Sequence, residues 1–272
     1  MKDTKIFYKN MIPQYKHTLT DVLTDAVAVK QIKELLVKIF AHLGLKKIDS
    51  DIFIKKIITT GQVAKTDLEI EQRLKKIMKI SELNHLISKG LIKRTDQVFS
   101  QISKYVEGKN ILDVGAGDGL VSKAIKEKLH KKITLLDVIN FNTTNLPLTI
   151  YHGTDFPYLN NEFDTSLGLT MLHHCNEPEK VLNEMIRVSK KRLILLESVY
   201  LDENERKLQT FLDWFYNRIL HNNVNCPYNF NSPAGWRKIL IAKGLRIVAE
   251  VDLGRDQAIV PEYHWIFVAD KL

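Results

Sequence analysis

The sequence predicts an α/β protein with a doubly wound, mostly parallel β-sheet that is preceded by an N-terminal helical region. Two patterns predict this fold. From about residue 110, short apolar runs alternate with helical patterns, which is the order expected for βαβ units with right-handed crossovers. Residues 1–106 instead carry apolar residues at helical spacing. We therefore divide the chain into a helical region at 1–106 and an α/β domain at 107–272.

Three strong helices are predicted in the N-terminal region. The first has a single apolar stripe, which consists of Ile32, Leu35, Leu36, Ile39, Phe40 and Leu43. Thr66 and Glu69 have the spacing of a capping box that opens the second helix. Thr95 can cap the third, whose apolar face consists of Val98, Phe99, Ile102 and Val106. Because such stripes must pack against something, we expect this region to be folded.

The elements of the α/β domain alternate along the chain. Strands are predicted at 110–114, 133–138, 165–172 and 192–198, with a helix at 119–130 between the first two. The runs 245–253 and 264–269, which a polar loop separates, are predicted to form a terminal antiparallel pair.

Two later helices have recognisable start signals. Asn176 and Glu179 are spaced as a capping box with a proline between them, which predicts a helix from about residue 177. Ser232 followed by Pro233 starts another helix, and Gly244 ends it.

Composition limits the class of protein and its location. The chain of 272 residues is 44% hydrophobic and 26% charged, as is usual for a soluble globular protein. No apolar run reaches the roughly 18 residues needed to cross a bilayer, and the charged first residues lack the apolar stretch of a secretory signal. Cys175 and Cys226 are the only cysteines and lack zinc-site spacing, so we predict no metal and a cytoplasmic location.

The positive charge is concentrated in the N-terminal region. Residues 1–100 contain 19 Lys and Arg against 11 Asp and Glu, whereas the remaining residues contain 21 of each. This excess suits an acidic partner such as RNA, an anionic lipid or an acidic carrier protein. It is equally typical of solvated, lysine-rich helix faces, which is the interpretation that we favour.

A glycine-rich loop follows the first strand of the α/β domain. Gly115, Gly117 and Gly119 lie beyond the strand that contains Asp113, at the end where open parallel sheets bind ligands. Glycine lets the backbone turn tightly and approach a ligand closely. A dinucleotide fingerprint needs glycine at the position of Leu120, and the P-loop lysine is absent. The spacing G-x-G-x-G resembles motif I of the class I S-adenosylmethionine (SAM) dependent methyltransferases.

A carboxylate ends the second predicted strand. Asp137 is placed to accept hydrogen bonds from both hydroxyls of a ribose, as acidic residues do in dinucleotide folds. Together with the glycine loop, it favours a nucleotide cofactor. The resemblance implies a Rossmann-like sheet and SAM as that cofactor.

Downstream residues extend the resemblance over about 160 residues. They are His152-Gly153-x-x-Phe156-Pro157, Glu162-Phe163-Asp164, Leu172-His173-His174 and Pro178-Glu179. This run is similar to the D-x-x-x-L-P-F … F-D … L-H-H … P pattern of the broad group that contains the ubiquinone and menaquinone type methyltransferases. The segments D-W-F-Y-N-R-I-L-H at 213–221 and V-P-E-Y-H at 260–264 resemble bacterial methyltransferase-like proteins and indicate no substrate.

The resemblance implies a set of cofactor-binding residues. These are Asp113, Gly115, Ala116, Gly117, Gly119, Asp137, Val138, His152, Gly153, Thr170 and Met171. His152 stands where the family usually has a carboxylate that meets the adenine amino group, although the Gly153 amide can still donate to the ring. Lys190-Lys191-Arg192 replaces the P-G-G turn that usually precedes the fifth strand.

Three histidines are candidate catalytic residues. Methyl transfer from a sulfonium is an in-line displacement that needs alignment and exclusion of water, and a general base helps when the acceptor still holds its proton. His173, His174 and His264 are the candidates, and the hypothesis is that His173 faces the methyl group as a base or positioning group. Local packing or helix capping explains each of them equally well.

An aromatic-rich insertion at about 200–231 is the predicted acceptor site. Leu208, Phe211, Leu212, Phe215 and Ile219 have the helical spacing of a packed core. The aromatic residues outside this stripe, Trp214, Tyr216 and Tyr228, can line a cavity between the insertion and the N-terminal helices. We therefore expect a small apolar or aromatic acceptor.

Two other functions are compatible with the sequence. An RNA methyltransferase would use the basic N-terminal region. Against it, the fourth strand ends in Leu169-Thr170-Met171-Leu172 and not in the (D/N)-P-P-Y that positions an exocyclic amine. A non-catalytic SAM-binding protein would keep the glycine loop and Asp137 without turnover. The oligomeric state is left open.

Overall fold

The computed structural model describes residues 18–42, 44–77, 94–220, 224–255 and 261–272. The helices are α1 (Leu19–Thr24), α2 (Ala26–His42), α3 (Lys47–Val63), α4 (Asp67–Ile77), α5 (residues 94–102), α6 (Leu120–Leu129), α7 (Pro178–Val188), α8 (Glu203–Trp214) and α9 (Pro233–Ala242). The strands are β1 (Asn110–Val114), β2 (Lys132–Asp137), β3 (Leu148–Ile150), β4 (Phe163–Leu169), β5 (Ser189–Ser198), β6 (Leu245–Arg255) and β7 (Tyr263–Lys271).

The strands form one seven-stranded sheet in the order β3-β2-β1-β4-β5-β7-β6. Strands β1 to β5 pair in parallel, and β7 pairs antiparallel with both β5 and β6. The strand order reverses between β1 and β4, so ligands are expected at the carboxyl ends of these two strands. This sheet confirms the predicted doubly wound α/β fold and its terminal antiparallel pair. Strand β3 was not predicted, because it is a three-residue edge strand with no buried residue.

The sheet is covered on both faces, because successive side chains of a strand point to opposite sides. Leu112 and Val114 of β1 belong to one hydrophobic core, which includes residues of α7 and α9. Ile111 belongs to the other, which includes residues of α5 and α6. Each strand that lies between these layers is buried on both faces, as is typical of parallel sheets.

A third hydrophobic core joins the N-terminal helices to the insertion. It contains buried residues of α1 to α4 together with residues of α8 and of the π-helical turn Phe215–Leu220 that continues it. The rings of Phe40 and Phe215 meet edge to face, with their centroids 6.2 Å apart. Arg218 and Glu71 form an ion pair at 2.9 Å across the same boundary. We refer to α1–α4 and residues 203–220 as the helical unit.

The predicted helix of the first stripe is confirmed. Ile32, Leu36, Ile39 and Phe40 are buried on one face of α2, and Leu35 packs at its edge. Leu43, the last residue of the stripe, lies outside the described residues.

Two of the predicted capping interactions in the N-terminal region differ from the structure. Thr66 Oγ1 accepts a hydrogen bond from the Glu69 amide at 3.2 Å, as predicted. The Glu69 carboxylate, however, accepts from the Lys65 amide and so makes its return bond one residue earlier than expected. Thr95 was expected to cap α5, but it lies inside the helix, since residue 94 is already helical.

The capping box predicted at Asn176 and Glu179 is wrong. The residue that caps α7 is Glu177, which makes no side-chain capping hydrogen bond, and Pro178 occupies the first helical position. Asn176 Oδ1 instead accepts a hydrogen bond from Asn225 Nδ2 at 2.8 Å. By contrast, Ser232 caps α9 as predicted by accepting from the Gly235 amide.

Across the part of the chain that the structure describes, no helix is both long and apolar enough to cross a membrane.

Candidate functional site

The glycine loop lies at the carboxyl end of β1, where the sequence analysis placed it. The Gly115 amide donates to the Leu136 carbonyl at 2.8 Å, which fixes the start of the loop against β2. Gly115, Gly117 and Gly119 all have positive φ, at 68°, 56° and 75°. Residues other than glycine rarely adopt this backbone conformation, so the loop requires glycine at these three positions.

Gly115 and Gly117 have different roles in the loop. A Cβ added to Gly115 would lie 2.7 Å from Met171 Cβ, so this position must stay small for the loop to pack against the end of β4. A Cβ added to Gly117 would meet nothing within 4 Å. Gly117 therefore borders open space, as a backbone that approaches a ligand does.

Asp137 holds the loop from the end of β2. Its Oδ2 accepts a hydrogen bond from the Gly117 amide at 2.9 Å, and its Oδ1 accepts from the Val138 amide at 2.7 Å. Oδ1 also accepts from the Ile139 amide at 3.3 Å. A carboxylate has about four acceptor positions, so these three bonds leave a position on Oδ2 for a ribose hydroxyl. The structure thus brings Asp137, Val138 and the glycine loop together.

Asp113 is a buried carboxylate beneath the loop. Its Oδ2 accepts a hydrogen bond from Ser122 Oγ at 2.6 Å, whereas its Oδ1 is buried without a hydrogen-bond partner in the described part of the chain. Burial raises its pKa to about 7, and the nearby charges of Asp137 and Asp118 act in the same direction. A buried acceptor without a hydrogen-bond partner costs free energy, so this oxygen is a candidate to accept a hydrogen bond from a ligand.

The predicted adenine side lies beyond β2 and β3. His152 is exposed, so it is accessible to a ligand at this edge. Gly153 has a φ of 92°, and a Cβ at this position would lie 3.9 Å from Val138 Cγ1. The Tyr151 amide donates to the Asp137 carbonyl at 3.0 Å. These contacts place Gly153 beside Val138, next to the ribose carboxylate.

The end of β4 contains a strained residue that contacts the N-terminal region. Thr170 has a φ of 56°, a left-handed conformation that is unfavourable for a β-branched residue. Arg94 Nη2 donates to Thr170 Oγ1 at 2.9 Å. Arg94 was not among the predicted site residues, because its position in α5 gives no sign that it reaches the sheet edge.

A cluster of buried polar side chains follows Met171. Glu197, at the end of β5, accepts hydrogen bonds from the Met171 and Leu172 amides and lies 2.6 Å from His173 Nδ1. The other ring nitrogen of His173, Nε2, lies 3.7 Å from Asp213 Oδ1 in the helical unit. His173, Glu197 and Asp213 are each at most 1% exposed.

His174 faces the same carboxylate. Its Nε2 lies 3.5 Å from Asp213 Oδ1, and its Nδ1 lies 2.7 Å from the carbonyl oxygen of Asn225. The centroids of the His173 and His174 rings are 4.1 Å apart. Both histidines therefore point one ring nitrogen at Asp213 and the other at a separate acceptor.

The two histidines differ in their electrostatics. Burial lowers the pKa of His173, but the negative charges of Glu197 and Asp213 outweigh it and raise the pKa to about 9. Burial and the charge of His173 lower the pKa of His174 to about 3. Burial raises the pKa of Asp213, which the charge of His173 partly offsets.

His264 belongs to a neighbouring pair on β7. It lies opposite Ser198 of β5, and its Nε2 is 3.3 Å from Glu262 Oε2. Ser198 Oγ donates to the same carboxylate oxygen at 2.8 Å. All three histidines were predicted from the sequence, whereas Glu197 and Asp213, the acidic partners of His173 and His174, were not. A charged residue that ends the apolar run of β5 was the one available signal.

The comparison with known families bears on the segment that contains this site. A family profile described as a methyltransferase domain matches residues 112–196, from β1 through most of β5. This segment of the chain is thus similar to a methyltransferase domain. The match includes the glycine loop, Asp137 and the end of β4, so the predicted cofactor loop and the matched family coincide.

Curated relatives and solved structures agree with this domain. The demethylmenaquinone methyltransferase of Renibacterium salmoninarum is 28% identical over 113 residues, which are 39% of this chain and 48% of that protein. The chain spans about half the length of the curated relatives it matches.

Two solved structures share the fold of the methyltransferase domain. The cyclase SpnF superposes with a TM-score of 0.51 at 16% identity, over 65% of this chain and 80% of SpnF. A protein from Pyrococcus horikoshii OT3 also gives 0.51, at 15% identity, over 67% of this chain and 91% of that protein. Since one of them is a cyclase, the fold by itself does not determine the reaction.

The residues at the glycine loop fit SAM, the cofactor that the resemblance to class I methyltransferases implies. The unpartnered Oδ1 of Asp113 suits the amino group of the methionine part. The open space beside Gly117 suits a ligand that the backbone approaches closely, and Asp137 suits the ribose.

Substitutions of Gly115 and Gly117 distinguish an effect on packing from an effect on cofactor binding. Gly115→Ala should lower both the free energy of unfolding and the affinity for SAM, because its Cβ meets Met171. Gly117→Ala should cost only about 1 kcal/mol of stability for the left-handed backbone, while its Cβ enters the space where the cofactor binds. Denaturant unfolding and calorimetric titration with SAM measure the two effects. Wild-type affinity in Gly117→Ala would show that the cofactor lies elsewhere.

Proposed function

We propose that the protein transfers a methyl group from SAM to a small, apolar or aromatic acceptor. The observation that carries this proposal is the meeting of two parts of the fold at the carboxyl ends of β1 and β4. One part is the cofactor loop with Asp113 and Asp137. The other is the helical unit, which reaches the same edge of the sheet through Asp213.

Two contacts support the placement of helices above the cofactor loop. Asp213 of α8 lies 3.7 Å from His173, two residues beyond Met171, whose side chain lies beside Gly115. Arg94 of α5 donates to Thr170, the last residue before Met171. An acceptor that approaches the loop from this side would lie between the sheet edge and helices, which suits a small molecule better than a polymer.

The residues of the chain have separable tasks in this proposal. SAM supplies a methyl group on a positively charged sulfur, which the acceptor displaces in line. Asp113, Asp137 and the glycine loop bind and orient the cofactor. The helical unit excludes water from the reacting atoms. His173 is a positioning residue, because both of its ring nitrogens face carboxylates.

His174 is the candidate to meet the acceptor. Its side chain is 18% exposed, whereas those of His173 and His264 are 2% and 4% exposed. A group that contacts a substrate needs such access. His264 lies at the start of β7 and is proposed only as a support for Glu262.

The names of the relatives favour an apolar acceptor. The curated relatives are named as demethylmenaquinone methyltransferases, a name that denotes a quinone acceptor. A quinone has a flat, largely apolar ring system. Trp214 and Tyr216 are themselves buried in the core of the helical unit, so the acceptor would meet the surface of this unit and not its interior.

A labelling experiment tests the proposal and its alternatives. The protein is first titrated with SAM, and then incubated with methyl-labelled SAM and a cell extract divided into apolar small molecules, aqueous small molecules and RNA. The Asp137→Ala variant serves as the inactive control. Label in the apolar fraction supports the proposal. Label in RNA favours the basic N-terminal region as the substrate surface. Binding of SAM without any transfer favours a non-catalytic SAM-binding protein.

A further inference from the structure

We propose that His173, His174 and Asp213 bind a divalent transition-metal ion. Each residue presents one ligand atom, and these three atoms lie within 4.8 Å of one another. The inference goes beyond the proposed function, since it requires neither methyl transfer nor a particular acceptor. Two imidazoles and one carboxylate are a ligand set used by zinc and non-haem iron sites.

The distances suit a single ion between the three side chains. Asp213 Oδ1 lies 3.5 Å from His174 Nε2 and 3.7 Å from His173 Nε2. A tetrahedral ion with bonds of about 2.0–2.1 Å separates its ligand atoms by roughly 3.4 Å. Small rotations of the side chains would therefore bring all three ligands to bonding distance and leave a fourth position open.

The remaining nitrogens of the two rings are held as metal sites require. His173 Nδ1 lies 2.6 Å from Glu197, and His174 Nδ1 lies 2.7 Å from the Asn225 carbonyl. An acceptor at Nδ1 holds a proton there, so an ion would bind at Nε2, the atom that faces Asp213, and would release any proton that Nε2 carries. The pairing of histidine with a carboxylate or a carbonyl is the usual outer support of a metal-bound imidazole.

Asp213 also needs a cation. It is 1% exposed, and its Oδ2 accepts no hydrogen bond from an N–H or O–H group of the described residues. The side chains next to it are the two imidazoles, the Asn217 amide and the Cys226 thiol. A buried carboxylate is costly without a positive partner, and a divalent ion between the two rings would provide a stronger one than the His173 ring alone.

The ion would join two parts of the fold. His173 and His174 lie in the turn Leu172–His174 after β4, whereas Asp213 lies in α8 of the helical unit, two residues before the π-helical turn. Bound metal would therefore fix the helical unit to the carboxyl edge of the sheet. We expect it to raise the unfolding temperature of the protein.

Metal titration of the full-length protein tests the inference. The protein is stripped with a chelator and titrated separately with Zn²⁺ and, under anaerobic conditions, with Fe²⁺, in competition with a chromophoric chelator. We expect one equivalent of ion to bind and the unfolding temperature to rise. The ion that binds more tightly, Zn²⁺ or Fe²⁺, identifies the metal that the site prefers. Absence of stoichiometric binding by either ion would overturn the inference.

Variants locate the site. Asp213→Asn and His174→Ala should weaken binding by more than the roughly 10–100-fold expected for Glu197→Gln, which removes only an outer partner. His130→Ala, at an exposed histidine, is the control for surface binding and should bind like the wild type. Circular dichroism of each metal-free variant verifies that it is folded. Equal binding by Asp213→Asn, His174→Ala and the wild type would exclude this site.

The result is independent of the proposed function. Calorimetric titration of the metal-free protein with SAM reports on the cofactor loop alone. Retained SAM binding with no metal binding would reject only the metal site. Metal binding without methyl transfer would reject only the proposed reaction.

Discussion

Asp113→Asn should stabilise the ligand-free protein above pH 7 and at the same time weaken its binding of SAM. The buried carboxylate of Asp113 has a pKa of about 7, mainly because burial disfavours its charge. Asparagine keeps the shape and can still accept from Ser122 Oγ, but it carries no charge. We expect a gain of roughly 1–3 kcal/mol in the free energy of unfolding, since a buried amide that lacks one partner retains part of the cost.

The pH dependence follows from the direction of the shift. The pKa of Asp113 is raised in the folded state, so between about pH 4 and pH 7 the folded protein holds a proton that the unfolded chain has released. This contribution to stability therefore falls as the pH rises through that window and is constant above pH 7. Asp113→Asn should remove this slope.

Binding of SAM should change in the opposite direction. The amino group of the cofactor would donate to the Asp113 Oδ1 that lacks a partner, and loss of such a charged hydrogen bond weakens binding about 10- to 100-fold. Chemical unfolding from pH 4 to 9 and calorimetry measure the two effects. If Asp113→Asn binds SAM as tightly as the wild type, the oxygen does not meet the cofactor.

Asp164→Asn is the matched control. Hydrogen bonds from the Asn110 and Lys109 amides lower the pKa of Asp164, so its contribution to stability is present at neutral pH and is lost as the pH falls through its folded pKa. The same substitution should therefore destabilise the protein at neutral pH. It should leave SAM affinity unchanged.

Asp137→Ala should weaken SAM binding by about 100-fold or more. The substitution removes an acceptor for the ribose, and one charged hydrogen bond accounts for most of a loss of this size. It also frees the Gly117 amide, which Asp137 Oδ2 holds at 2.9 Å, so the glycine loop loses its support from β2. Calorimetric titration measures the affinity, and denaturant unfolding separates it from stability.

Asp252→Ala serves as the control for Asp137→Ala. Asp252 is an exposed carboxylate on β6, at the opposite edge of the sheet from β2 and β3. Its removal should leave SAM affinity unchanged. Equal affinities for the two variants would mean that Asp137 has no role in binding the ribose.

Local sequence patterns predicted most of the fold. Alternating apolar runs and helical stripes gave the order of strands and helices, because the periodicity of burial is set by residues close together in the chain. The exceptions depended on distant partners. Asn176 was expected to cap α7, but its side chain bonds to Asn225 instead. Strand β3 has no buried residue and so leaves no apolar pattern.

The cofactor-binding part of the site could be predicted from short segments of the sequence. The glycine spacing sets the loop, and Asp137 follows because parallel neighbours β1 and β2 end at the same edge. The burial of Asp113 and its Oδ1 atom without a hydrogen-bond partner could not be predicted from the sequence. Both depend on how α6 packs against the end of β1.

The sequence by itself thus determined the fold class and the cofactor loop, because both depend on short-range periodicity and on strand ends that parallel pairing brings together. Only the tertiary structure decided which polar side chains meet beyond the loop. His173, Glu197 and Asp213 come from a turn, a strand and a helix, and the sequence predicted neither their contact nor a metal site. Their contact arises because the helical unit packs its own core and thereby carries Asp213 to the end of β4. Such long-range packing leaves no local pattern in the chain.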